Sequence, residues 1–113
     1  MVRSVSNMVA EEPSVDEMSL AAVMAALSDP ARVEIVRGLA SCESRTCGEF
    51  DLGISKATRS HHFKVLREAG LTHTRSEGTH RHLSLRREDL DARFPGLLDA
   101  VLAAAEREAA VPA

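Results

Sequence analysis

The chain has 113 residues, 14 of them basic and 17 acidic, for a formal charge of −3 at pH 7, a length that holds one domain. Two cysteines exclude a disulfide scaffold or a four-thiolate zinc site, and three Phe without Trp or Tyr argue against stacking recognition of single-stranded nucleic acid or sugars. No apolar run approaches the ~20 residues that cross a bilayer and no signal-peptide pattern is seen, so the expectation is a cytoplasmic protein with no membrane partner.

Residues 1–13 are small and polar and read as a flexible tail, residues 111–113 as a second, with one folded domain over 14–110. Ser14-Val15-Asp16-Glu17 is a capping box that predicts a helix to about residue 27. That helix is apolar nearly all round, so it needs cover from its own core and from a partner. Asp29 as N-cap and Pro30 at the first helical position open a second helix, with Val33, Ile35, Val36 and Leu39 as its buried face. A short third helix is expected over 47–51.

Gly53 then allows a tight turn, and Ser55 caps a fourth helix that runs to Ala69 and stops at Gly70. Two short strands around Glu77-Gly78, over 71–76 and 79–86, predict a hairpin. A last helical region begins near Arg87, breaks at Pro95-Gly96 and resumes to about Ala110, with Leu97, Leu98, Val101, Leu102 and Ala105 on one stripe. The fold class is thus mainly α with a small β-hairpin, about five to six helices in a winged helix-turn-helix order. The first and last helices carry more apolar surface than one small domain hides. This predicts a homodimer through Met18, Ala22, Leu97, Leu98, Val101, Leu102 and Ala105.

The net charge conceals a strong asymmetry. Residues 55–87 carry eight basic side chains (Lys56, Arg59, Lys64, Arg67, Arg75, Arg81, Arg86 and Arg87) against Glu68 and Glu77, between two acidic flanks. Such a block reads as a polyanion-binding face. In the fourth helix Ala57, Ser60, His61, Lys64 and Glu68 fall on one outward stripe, with Phe63, Leu66 and Ala69 on the packed side. Small residues first and cations later suit a helix N-terminus entering a major groove. The expected DNA contacts are Lys56, Thr58, Arg59, Ser60, His61, Lys64 and Arg67 on this helix, and Arg75, Thr79 and Arg81 around the hairpin tip. His62, toward the packed side, reads better as a core histidine.

Two strings carry a family resemblance: LSDPARVEIVRGL (27–39) and SHHFKVLREAGL (60–71). They resemble the second helix and the recognition helix of the ArsR/SmtB winged-helix regulators, and the likeness extends over about residues 15–105. Arg59 departs from the pattern, where an aliphatic residue is usual. The resemblance implies a dimeric transcription regulator of double-stranded DNA. It also raises metal sensing, since many members bind a metal that weakens DNA binding. The two usual sensor patterns are incomplete: Cys47 stands without a Cys-x-Cys partner, and the last helix has no histidine.

His73, His80 and His82 in the hairpin, with Cys47, form the remaining metal candidates, for nickel or zinc. A two-residue loop that sets His73 opposite His82 would cluster them, whereas a three-residue loop would bring Leu71, Leu83 and Leu85 to one face and separate them. Nickel enters because actinobacterial-looking members of the family include nickel-responsive regulators of superoxide dismutase. No cofactor is required for folding. The functional expectation is a sequence-specific regulator acting as a homodimer on a near-palindromic operator, responsive to a metal or to a sensing partner protein. The alternative is a winged-helix protein-interaction module without DNA binding. An enzyme is not expected: G-x-S-x-G, H-E-x-x-H and phosphate-loop motifs are absent.

Overall fold

The computed structural model describes residues 12–42, 45–46 and 53–110. The chain opens with a 3-10 turn, Val15–Glu17, in which the Ser14 N–H donates to Glu17 Oε1 at 2.9 Å. The expected single helix from this capping box is instead broken. Met18 is extended (φ −70°, ψ 131°) and 1% exposed, and Ser19 supplies a fresh cap, its Oγ accepting from the Ala22 N–H at 3.2 Å. Helix α1 therefore spans only Leu20–Ala26. Turning Met18 into the core gains more than continuing a short helix would.

Helix α2 (Pro30–Ala40) begins as its sequence dictates, with Asp29 Oδ1 accepting from the Ala31 N–H at 2.8 Å. That hydrogen bond, aided by Arg32 and opposed by partial desolvation, holds the Asp29 carboxyl below its usual pKa. The expected helix over 47–51 lies outside the described residues. Helix α3 (Lys56–Ala69), the predicted fourth helix, is capped by Ser55 and ended by Gly70 in the left-handed conformation (φ 94°). A Cβ there would stand 2.9 Å from Met18 Cγ, so the position also needs glycine for packing.

Strands β1 (Arg45–Thr46), β2 (Thr72–Glu77) and β3 (His80–Leu85) form an antiparallel sheet in the order β1-β3-β2. Helices α4 (Arg87–Arg93) and α5 (Leu97–Ala110) follow, separated at Pro95-Gly96 as the sequence indicates. One core unites Val23 and Ala26 of α1, Ile35, Val36 and Leu39 of α2, Phe63 and Leu66 of α3, Leu83 of β3, Leu90 of α4 and Leu98 of α5. This is the expected winged helix-turn-helix order. Glu12 and Pro13, assigned to the flexible tail from sequence, are tied down: Glu12 bonds the wing, and the Pro13 carbonyl accepts from Arg86 Nη1 at 2.7 Å.

Burial redraws the surface expected to pair with a second copy. Met18 and Leu98 are core residues, 1% and 2% exposed, so neither is available to a partner. Leu97 and Leu102 pack against the core, Val101 and Ala105 are half-buried, and Ala22 is exposed. Among the described residues, the large apolar side chains left in solvent are Leu20 and Met24, one turn apart on α1.

Candidate nucleic-acid interface

Helix α3 is held by its apolar side, with Phe63, Leu66 and Ala69 buried, while Ala57, Ser60, His61, Lys64 and Glu68 are exposed, as their spacing predicts. His62, 7% exposed, bridges helices: Arg32 Nη1 donates to its Nδ1 at 3.1 Å, and Arg32 Nε donates to the Ala26 carbonyl at 2.6 Å. Because guanidinium only donates, His62 Nδ1 is the acceptor and the neutral ring carries its proton on Nε2. The core reading of His62 is the one observed. At the helix start, Ser55 Oγ accepts from the Thr58 N–H at 3.1 Å and donates to Thr58 Oγ1 at 2.9 Å. The Thr58 hydroxyl is therefore engaged in the cap.

Register decides what the wing presents. Glu77 pairs with His80, so the two-residue turn is Gly78-Thr79, one position later than the Glu77-Gly78 turn read from sequence. His73 faces Ser84 and Arg75 faces His82; the arrangement placing His73 opposite His82 is not formed. Moving the two-residue turn by one position shifts each partner by two, so the residues that share a face stay the same. Thr74, Arg81 and Leu83 share one face of the hairpin, and His73, Arg75, Glu77, His80 and His82 share the other.

Between α3 and the wing lies an open cleft of about 820 Å³. It is lined by Lys56, Arg59, Ser60, Phe63, Lys64 and Arg67 from α3 and by Thr74, Thr79, His80 and Arg81 from the wing. Five lining side chains are permanently cationic, and among the described residues none is acidic. Seven of the ten expected DNA-contact residues meet here. His61 is exposed on α3 but does not line the cleft, and Arg75 lies on the opposite wing face, 3.8 Å from Glu77. Thr74 and His80 are cleft residues that the sequence alone does not place here: Thr74 enters on the face it shares with Arg81, and His80 by its position beside the turn.

The metal candidates do not converge. His73 Nδ1 is 2.6 Å from Glu12 Oε1, and His82 Nε2 is 3.3 Å from Glu77 Oε1. His80 and His82 share a neighbourhood, with ring centroids 6.5 Å apart. Cys47 lies outside the described residues. Among the described residues no group of three or more His, Cys, Asp or Glu could hold a metal ion. The described His, Asp and Glu side chains thus make up no metal-binding set.

A helix-turn-helix domain family matches residues 27–75. Over 87 residues the chain is 41% identical to YceK, an HTH-type transcriptional regulator of Bacillus subtilis (strain 168), covering 74% of this chain and 87% of that protein. The crystal structure of the transcriptional repressor BigR from Xylella fastidiosa is similar at 28% identity and TM-score 0.59, covering 75% of this chain and 84% of BigR. The solution structure of the homodimeric winged helix-turn-helix DNA-binding domain of Mb0332 from Mycobacterium bovis, a possible ArsR-family regulator, matches 95% of this chain and 91% of that domain. Its TM-score is 0.63 at 23% identity, a likeness of fold alone. Among the described residues, no helix is long and apolar enough to cross a membrane.

Proposed function

The chain belongs to the ArsR/SmtB family of winged helix-turn-helix transcriptional regulators, and from that premise we propose that it binds double-stranded operator DNA as a homodimer, with α3 in the major groove and the wing beside it. One observation carries this reading: the cationic cleft between α3 and the wing, to which no described carboxylate contributes. A duplex presents phosphates to both walls of such a cleft, and releasing its condensed counterions supplies much of the affinity. Ser60 and Lys64 then face base edges and backbone, and Arg81 meets the flanking phosphates.

The exposed Leu20 and Met24 support pairing through α1, the helix whose sequence already demanded a second covering surface. A two-fold axis sets two recognition helices about 34 Å apart, so the favoured operator is near-palindromic. The homodimeric state of the Mb0332 domain supports the same assembly.

Fluorescence anisotropy with labelled genomic fragments across a salt series tests the proposal. Affinity should fall steeply as salt rises, and Lys64→Ala should weaken all sequences alike while reducing the log–log slope by about one. Ser60→Ala should instead alter sequence preference. Absence of binding in dilute buffer, or an affinity indifferent to salt, would reject the reading.

A further inference from the structure

The N-terminal residues outside the recognition machinery make an unusual set of contacts. Both carboxylate oxygens of Glu12 are used: Oε1 lies 2.6 Å from His73 Nδ1, and Oε2 accepts from the Thr74 backbone N–H at 3.1 Å. Strand β2 lies at the sheet's edge, so this N–H has no neighbouring strand to bond. The Glu12 side chain is only 15% exposed, although a glutamate ordinarily stays in water.

The next residue reaches the other half of the interface. The ring of Pro13 lies against Gly70, where α3 ends: a Cβ built on Gly70 would stand 3.2 Å from Pro13 Cγ. The Pro13 carbonyl accepts from Arg86 Nη1 at 2.7 Å, and Arg86 immediately follows β3. Two consecutive residues thus join the edge of the wing, its exit and the end of the recognition helix.

We propose that Glu12 is a positioning residue that, with Pro13, straps the wing to the end of α3 and fixes the angle at which the two walls of the cationic cleft meet a duplex. The proposal rests on the DNA-binding reading. It makes a prediction opposite to simple electrostatics. Deleting an acidic side chain from a polyanion-binding protein should strengthen binding through charge alone, whereas loss of the strap should weaken it.

The test uses the full chain and the variants Glu12→Ala and Glu12→Gln. Gln keeps an acceptor for the Thr74 N–H and an amide donor for His73 Nδ1 while removing the charge. Amide hydrogen exchange is read at Thr74, and anisotropy is measured with a fluorescein-labelled mixed-sequence duplex. In Glu12→Ala, Thr74 exchange should accelerate about tenfold or more, and duplex affinity should fall about fivefold, the scale of one lost charge-assisted hydrogen bond. Glu12→Gln should retain slow exchange and bind at least as well as the unaltered chain. Unchanged Thr74 exchange in Glu12→Ala, or undiminished duplex affinity in that variant, would overturn the proposal, as would a Glu12→Gln chain that behaves like Glu12→Ala. If the unaltered chain bound no duplex, the functional reading would fail by itself, while the exchange experiment would still report on the strap.

Discussion

Helices α3 and α5 are each 14 residues long and each is anchored by one apolar side, yet their outer sides offer opposite chemistry. α3 exposes Lys56, Ser60, His61, Lys64 and Glu68 beside a cationic wing, whereas α5 exposes Asp99, Ala100, Ala103, Ala104, Glu106, Arg107 and Glu108. Glu106 reaches back to Arg37 of α2 at 2.7 Å, and Arg37, held by Glu106 and Glu34, is kept protonated above its usual range. Acidic side chains thus lie away from the cleft, which stays cationic despite the overall charge of −3. Local segregation, not the total, sets the charge that the cleft presents.

The comparison breaks most severely at the residue that seats α5. Leu98→Ala should cost about 2–5 kcal/mol by opening a cavity among Val23, Leu27, Leu71 and Leu90, read as a lower midpoint in urea unfolding. Next in size is the paired change Leu20→Glu with Met24→Glu. Both side chains lie about half in solvent, so the folded protomer should survive, while self-association weakens about tenfold or more in sedimentation experiments. An unchanged association constant would remove α1 from the pairing surface and leave α3's role standing.

The smallest effect is expected at Asp29. Its folded pKa is depressed chiefly by the Ala31 N–H, so the ionised form favours folding. That contribution is complete above the ordinary carboxylate range and is lost as pH falls through the lower folded value. Asp29→Ala should therefore lower Tm slightly at neutral pH, and the difference from the unaltered chain should close in acid.

Much of this architecture is legible locally. Asp29-Pro30, Ser55 and Gly70 set helix ends through their own hydrogen bonds and dihedral preferences, and the α3 stripe follows from helical periodicity. The break at Met18 is less legible, because two competing caps, Ser14 and Ser19, lie five residues apart and burial of Met18 chooses between them. The places of Arg75 and His80 are also set beyond the local sequence. The register puts both on one wing face, yet Arg75 pairs with His82 farther along the strand, whereas His80 stands beside the turn and reaches the cleft.

The sequence by itself determined the helix boundaries around α2 and α3, the basic middle third and the outward stripe of the recognition helix, because caps, turns and periodicity act over a few neighbouring residues. Only the tertiary structure decided the wing's register, the burial of Met18 and Leu98, the exposure of Leu20 and Met24, and the meeting of Glu12 with His73. Each of these depends on segments remote in the chain competing for one core or one free strand edge, and that competition is settled by packing, not by local propensity.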